Sequence, residues 1–228
     1  MKRFTAMLLV ICSMLLLTTS AFADAKMTAV EKTLITFQGD WKGYFFAKVE
    51  NTGDTAGYIE YGGKLVGFDD NDDVILSEDY ISSYPSRIYL QPGEYAYVRN
   101  YFLEDALRTS KIADYKFSIK PDSNGYQYSK LPSEAKIEYK PSDKYNNDIY
   151  VTFTNDTDDI LYDFAITVAM FDQDNHLIFV DGDSSSSLGI HPGSTITVKV
   201  SIDSDLVEYY AREGITPTTV ESIVYVEK

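Results

Sequence analysis

The stretch LVGFDDNDDVI, residues 65–75, decides the fold because a second version of it follows about a hundred residues later. The second version is VAMFDQDNHLI, residues 168–178. Each has apolar residues on both sides of a polar tip rich in Asp and Asn, which is the pattern of a β-hairpin. The sequence therefore predicts two copies of one β-rich unit.

Two further blocks repeat in the same order. The strand pattern FFAKVENTGDT, residues 45–55, matches IYVTFTNDTDD, residues 149–159, and both end in Asn and a polar turn. Farther along, IYLQPG, residues 88–93, matches LGIHPG, residues 188–193. Each Pro-Gly pair predicts a turn into another strand. Chance similarity would not keep this order, so the blocks support a duplication.

These blocks place the first copy at residues 28–122, a linker at 123–129 and the second copy at 130–228. Each copy has roughly a hundred residues and six or seven predicted strands, which is typical of an immunoglobulin-like β-sandwich. A short helical insertion is predicted near the end of each copy, at residues 102–108 and 206–213. The predicted fold is therefore all-β, with two tandem immunoglobulin-like antiparallel β-sandwiches.

The N-terminus has the features of a secretory signal peptide, predicted at residues 1–23. Lys2 and Arg3 precede an apolar run at residues 7–17, which is short for a membrane span. Ala21-Phe22-Ala23 is a small-x-small cleavage pattern, so we expect cleavage after Ala23. The alternative is that the segment is retained as an anchor.

The amino-acid composition restricts the kinds of partner that the protein can bind and indicates the kind of organism that it comes from. Cys12 is the only cysteine and lies in the signal segment, so the mature chain has no disulfide and no cysteine metal site. This favours a bacterial secreted protein, extracellular or at the cell surface, with no membrane contact after cleavage. The formal net charge is −15, and this field would repel a phosphate backbone, so nucleic acid is excluded as a partner.

The second copy resembles a known family of bacterial extracellular domains. It has ILYDFAITV at residues 160–168, FDQDN at residues 171–175 and IHPG at residues 190–193. This order of strand, hairpin and Pro-Gly turn resembles FxLYD-type domains, which are similar to fibronectin type III and other immunoglobulin-like modules. The resemblance implies the fold and assigns no catalytic residue.

No catalytic constellation is visible in the sequence. His176 and His191, the two histidines, fall in predicted turns, and no nucleophile elbow or paired metal-binding histidines accompany them. We therefore expect a protein that is not an enzyme and has no cofactor or metal. The alternative is a small secreted hydrolase or glycan-acting enzyme with a carboxylate site between the two domains.

Comparison of the copies predicts one binding face. In the second copy Ile196, Val198 and Val200 alternate with polar residues and must face the core. By alignment, Ala96 and Val98 face the core of the first copy, and aromatic residues occupy the opposite face. The predicted outer patch consists of Tyr44, Phe46, Tyr95, Tyr97, Arg99 and Tyr101.

Exposed aromatic clusters often mark docking sites, so we expect a secreted binding, adhesion or structural module of the bacterial cell envelope. Its expected partner is an envelope or host protein or a glycan. The patch could instead be covered by the other domain, and an accessory role in an export or sporulation system is equally compatible. The carboxylates at residues 69–73 leave calcium binding open, although the EF-hand pattern fails at Val74 and Tyr80.

Overall fold

The computed structural model describes residues 24–37, 39–59, 63–122 and 124–227, and the predicted signal peptide lies outside these ranges. The described residues form antiparallel sheets almost throughout, which confirms the all-β prediction. In the N-terminal half, residues 24–122, the described residues form nine strands and one 3-10 helix. They are β1 (Met27–Thr36), β2 (Lys42–Asn51), β3 (Gly57–Ile59), β4 (Gly63–Phe68), β5 (Val74–Ser83), β6 (Tyr89–Leu90), β7 (Tyr95–Leu103), the 3-10 helix (Asp105–Arg108), β8 (Asp114–Ser118) and β9 (Pro121–Asp122).

The C-terminal half, residues 124–227, contains seven strands and one α-helix. They are β10 (Tyr128–Leu131), β11 (Ser133–Glu138), β12 (Asp148–Thr154), β13 (Phe164–Asp172), β14 (Leu177–Ser185), β15 (Thr195–Ser201), α1 (Ser204–Glu213) and β16 (Pro217–Glu227). None of the helices in the described part of the chain has the length and apolar character needed to cross a bilayer.

The same order of strand pairing occurs in both halves. In the N-terminal half β1-β2-β7 and β5-β4-β8 form two three-stranded groups, joined by the short pairing of Ser82 and Ser83 with β7. In the C-terminal half the corresponding groups are β11-β12-β15 and β14-β13-β16. Strand β10 adds to β16, and it begins at Tyr128, inside the predicted linker, because its backbone pairs with the last strand.

A buried asparagine stands at the end of β2 and another directly after β12, and the two make equivalent hydrogen bonds. Asn51 Nδ2 donates to the carbonyl oxygens of Thr55 and Leu90 at 2.8 and 3.0 Å. Asn155 Nδ2 donates to Asp159 and Ile190 at 2.8 Å each. Both asparagines are 0% exposed. Buried carbonyl groups need donors, so each amide fixes the turn to the strand that it faces.

The two hairpin tips, at residues 69–73 and 172–176, also have equivalent hydrogen bonds. Asp69 Oδ1 accepts from the backbone N–H of Asn71 and Asp73 at 2.8 and 3.0 Å. Asp172 Oδ1 accepts from Asp174 and His176 at 2.9 and 2.8 Å. An aspartate that bonds its own following backbone stabilises a turn, so the polar tips are structural elements of two hairpins.

The helical insertions differ in size. Helix α1 begins two residues earlier than predicted because Asp203, and not Ser204 or Asp205, supplies the N-cap, accepting from the N–H of Asp205. It ends at Gly214, whose φ of 69° requires the left-handed conformation that glycine adopts readily. The corresponding part of the N-terminal half forms only one 3-10 turn, Asp105–Arg108.

Apolar residues collect in two buried clusters. One lies mainly in the N-terminal half, with Ala165 and Tyr225 added from the C-terminal half, and includes Phe45, Ala47 and Val49, each 0% exposed, as their inward alternation predicts. The other fills the C-terminal half and also takes in Tyr44 and Phe46 from the opposite face of β2. Strand β2 is thus buried on both faces, which makes the β1-β2-β7 group an internal layer of the molecule.

Candidate functional site

The predicted aromatic face exists, but most of it is not exposed. Tyr44, Phe46 and Tyr97 lie on the side of β2 and β7 opposite the N-terminal core, as the alternation predicts. Their exposed fractions are 6%, 2% and 1%. The expectation of an open patch is therefore wrong for these three residues, because the C-terminal half covers them.

Aromatic contacts and one carboxylate join the two halves across this face. The rings of Phe46 and Phe179 have centroids 5.9 Å apart, and those of Tyr97 and Phe171 are 6.4 Å apart. The hydroxyl group of Tyr97 donates to Glu221 Oε2 at 2.5 Å. The whole ring surfaces are thus removed from water, and the hydroxyl keeps a partner.

Arg99 is not a free cation on the face. Its Nη2 lies 3.0 Å from Asp181 Oδ1 and donates to the Tyr84 hydroxyl at 3.1 Å. Burial raises the pKa of the Asp181 carboxyl, although the positive charge of Arg99 opposes this effect. Each side chain of the pair is about three-quarters buried, so this ion pair between the halves is largely desolvated.

Small residues on β13 make room for the aromatic side chains. Ala165, Thr167 and Ala169 are all buried, and the Thr167 hydroxyl donates to the backbone carbonyl of Tyr84. On the neighbouring strand a Cβ at Gly182 would lie 2.8 Å from the Tyr84 ring. Bulky residues at these positions would push the two halves apart.

A cleft of about 390 Å³ remains open at one side of the contact. Phe46 and Phe179 form part of its apolar floor, and the Tyr101 ring, 43% exposed, stands at its rim. Ser201 and Asp203 contribute exposed oxygen atoms from the C-terminal half. The cleft is thus a place along the predicted face where the described residues leave a ring accessible beside polar groups.

The electrostatic character of the cleft is acidic. Asp181 and Asp203 both line it, and Arg99 balances only one of these charges. Burial, followed by the negative charge of Asp203, raises the pKa of the Tyr44 hydroxyl well above its ordinary value. Tyr44 is therefore a neutral hydroxyl group at any physiological pH, while the carboxylates at the rim can accept hydrogen bonds.

A second group of side chains lies at the tip of the β13–β14 hairpin. Ligand atoms of Asp172, Asp174 and His176 lie within 4.8 Å of one another. Asp172 is buried and its Oδ1 already accepts two backbone N–H groups, whereas His176 is exposed, with Nδ1 3.5 Å from Asp172 Oδ2. These contacts explain the cluster as hairpin structure, and the geometry assigns it no further role.

The sequence analysis missed the residues that the C-terminal half brings to the cleft, although two signals pointed to them. Arg99 on an aromatic face needs a counter-charge, which Asp181 supplies. The run YFFA, residues 44–47, is apolar on both faces, a pattern typical of a strand buried on both sides. Other residues that the C-terminal half brings to the cleft include Phe179, Ser201 and Asp203.

Comparison with known proteins identifies no family for this chain. No family model matches the sequence, and no curated protein matches it either. One solved structure that resembles the chain is the N-terminal CBM22-1-CBM22-2 tandem domain of Xyn10C from Paenibacillus barcinonensis. It shows 10% identity over 91% of this chain and 84% of that chain, with a TM-score of 0.16. A likeness at that score carries no argument about fold or function.

Proposed function

We propose that the chain is a secreted, non-catalytic binding module of the bacterial cell envelope. It consists of two tandem immunoglobulin-like β-sandwiches of the FxLYD type, at residues 28–122 and 130–228. The repeated strand order and the equivalent bonds of Asn51 and Asn155 support this division. Export requires cleavage after Ala23, so mass spectrometry of the secreted protein should find Asp24 as its first residue, and a retained segment would contradict export by this route.

The ligand that the cleft fits best is a glycan. The observation that carries this proposal is the Tyr101 ring, 43% exposed, at the mouth of an apolar cleft whose rim presents Asp203 and Ser201. The C–H faces of a sugar pack against an aromatic ring, and its hydroxyl groups donate to carboxylate oxygens. A few convergent polar groups around an apolar floor are typical of small-ligand sites.

The volume and the charge of the cleft restrict the class of glycan further. A volume of about 390 Å³ lies near the lower end of the roughly 300–1,000 Å³ range of small-molecule sites, so the cleft admits a short glycan segment and not a folded protein. Its net charge is negative because Arg99 neutralises Asp181 and leaves Asp203 unbalanced. We therefore propose a neutral or amino-sugar glycan, and anionic glycans are disfavoured.

The test is binding to purified neutral and amino-sugar oligosaccharides, measured by calorimetry with wild type and two variants. Tyr101→Ala should weaken binding about tenfold, because it removes the accessible ring. Tyr80→Ala, which removes another exposed tyrosine from β5 outside the cleft, should bind as wild type does. Equal affinity of Tyr101→Ala and wild type, or no binding to any of these glycans, would overturn the proposal.

A hydrolase is the second candidate, since Asp181 and Asp203 line one cleft and burial raises the pKa of Asp181. A raised carboxyl pKa is what a general acid needs. Both carboxylates have structural partners, however, because Asp181 pairs with Arg99 and Asp203 caps α1. Release of reducing sugar from envelope glycans that disappears in Asp181→Asn would favour the hydrolase. No release would favour the binding module.

A further inference from the structure

One end of the C-terminal half carries an exposed apolar cluster, which we call the Leu188 patch. It consists of Ile160, Tyr162 and Leu188, which are 36%, 54% and 50% exposed. They are neighbours, since a Cβ placed on Gly189 would lie 3.2 Å from the Tyr162 ring and 3.5 Å from Ile160 Cγ2. The patch lies outside the cleft described above and does not depend on the proposed glycan.

The equivalent position in the N-terminal half is covered. Gly57 pairs with Leu90 as Leu161 pairs with Ile190, so Tyr58 corresponds to Tyr162 and Ile88 to Leu188. Ile88 is 1% exposed, against 50% for Leu188. The same place in one fold is therefore closed in one half and open in the other.

An extended segment of the chain itself pairs with the backbone at this position. Tyr126 forms a parallel bridge with Ile88, and its N–H donates to the carbonyl oxygen of Arg87 at 3.2 Å. A Cβ on Gly125 would lie 2.0 Å from the Tyr58 ring, so only glycine allows this approach. An edge that accepts one extended segment by backbone pairing offers the same geometry to another.

In the described part of the chain no strand pairs with Leu188, so its edge is available. The negative charge around the Leu188 edge indicates which kind of segment would bind there. Residues 156–163 include four aspartates, and Asp183 lies near the end of β14, without one Lys or Arg in residues 154–163 or 181–191. The N-terminal half has Arg87 at the position of Ser187 and only Asp54 in residues 52–59. An occupant of the Leu188 patch must therefore be basic, unlike residues 124–126.

We propose that the Leu188 patch binds an extended basic polypeptide segment from a partner protein, with a small residue followed by an aromatic residue. The segment pairs in parallel with the edge at Leu188, as Tyr126 pairs with Ile88. Its small residue approaches the Tyr162 ring, its aromatic residue packs on Leu188, and its lysine or arginine side chains face the aspartates. This makes the chain a protein-binding module at one end.

The probe is a synthetic octapeptide with the sequence of residues 121–128 in which Lys replaces Pro121, Asp122 and Gln127. Calorimetry with the purified chain should give saturable binding that weakens as salt is raised. The same peptide with Tyr126→Ala should bind about tenfold more weakly, because it loses the aromatic contact. The unsubstituted octapeptide should also bind more weakly, since it lacks the positive charge.

Protein variants locate the site. Leu188→Ser and Tyr162→Ser each remove an exposed side chain, so the fold should survive. Each variant should bind the lysine-substituted peptide with about tenfold lower affinity than wild type. Tyr145→Ser is the matched control, because Tyr145 is 76% exposed at the opposite end of β12. No binding by wild type, equal binding by Leu188→Ser, or equal binding of the Tyr126→Ala peptide would overturn the proposal. Dimerisation of the chain that Leu188→Ser abolishes would also overturn it and would identify a second copy as the occupant.

Discussion

Tyr97 and Glu221, separated by 124 positions in the chain, share a hydrogen bond that joins the two halves. Tyr95 donates to the same carboxylate oxygen at 3.2 Å. The rings that looked like a docking surface thus serve as an internal contact. Five of the six predicted binding residues take part in the contact between the halves, namely Tyr44, Phe46, Tyr95, Tyr97 and Arg99, and Tyr101 remains available to a ligand.

This contact predicts a loss of stability in alkali. Burial, followed by the bond to Glu221, raises the pKa of Tyr97 well above its ordinary value of about 10. The folded state therefore keeps this proton above pH 10 and the unfolded state loses it, so the stabilisation is complete below about pH 10 and falls as pH rises. Tyr97→Phe should reduce the slope of unfolding free energy against pH by about 1.4 kcal/mol per unit in this window.

The measurement is urea unfolding of wild type and Tyr97→Phe from neutral pH to about pH 11.5. Near neutral pH the variant should be less stable by about 1 kcal/mol, because one hydrogen bond is lost. Tyr145→Phe, with a ring that is 76% exposed, is the matched control. An identical alkaline slope for Tyr97→Phe and wild type would refute the prediction.

The Arg99–Asp181 pair should behave as a coupled unit. Removing one partner leaves the other charge desolvated, so Arg99→Met and Asp181→Asn should each destabilise the fold, whereas the double variant should recover part of the loss. We expect a coupling energy of about 1 kcal/mol in a double-mutant cycle, because each side chain is still about one-quarter exposed. Strict additivity of the two changes would show that the pair contributes nothing.

The two buried asparagines offer a matched comparison. Asn51→Ala would leave the carbonyl groups of Thr55 and Leu90 without this donor, and Asn155→Ala would do the same to Asp159 and Ile190. Each variant should lose about 1–3 kcal/mol of unfolding free energy. Chemical denaturation measures both losses. If one substitution were silent and the other severe, the equivalence of the two turns would be contradicted.

The stability that the hairpin tip at Asp69 contributes should depend on pH in the acid range and not on calcium. The backbone N–H groups of Asn71 and Asp73 lower the pKa of Asp69, so its stabilisation is present above the ordinary carboxyl pKa and is lost as pH falls through the lowered value. Asp69→Asn should flatten the acid limb of a melting-temperature profile. Because the carboxylate is already bonded, millimolar calcium should leave the melting temperature of wild type unchanged at neutral pH, and a clear rise would assign a cation to this tip.

Much of the local structure could be predicted from the sequence because it depends on short-range chemistry. The hairpin tips, the Pro-Gly turns and the end of α1 at Gly214 each follow from turn-forming residues and the period-two alternation. The inward and outward sides of β2 and β7 were also predicted correctly. The burial of Tyr97 was not, since alternation tells which face a residue occupies and not what lies above that face.

The burial of this face was indicated by the predominantly apolar runs at residues 44–47 and 164–171, one in each half of the chain. A strand apolar on both faces needs cover on both, and two such strands in one chain can cover each other. The cleft was beyond the sequence for a different reason. Tyr101 and Asp203 meet only through the way in which the halves pack, and no local pattern encodes that distance.

The contact between the halves joins surfaces that are not equivalent. The N-terminal half uses the β1-β2-β7 group and the C-terminal half uses β13, β14 and β16, which correspond to β4, β5 and β8. Like units joined through unlike surfaces can add a third and a fourth unit in the same way, and so grow into an open-ended polymer. In the C-terminal half, Thr195 and Thr197 stand where the N-terminal half has Tyr95 and Tyr97, and they are exposed. The C-terminal half therefore presents two hydroxyl groups where the N-terminal half presents the two rings that contact Glu221.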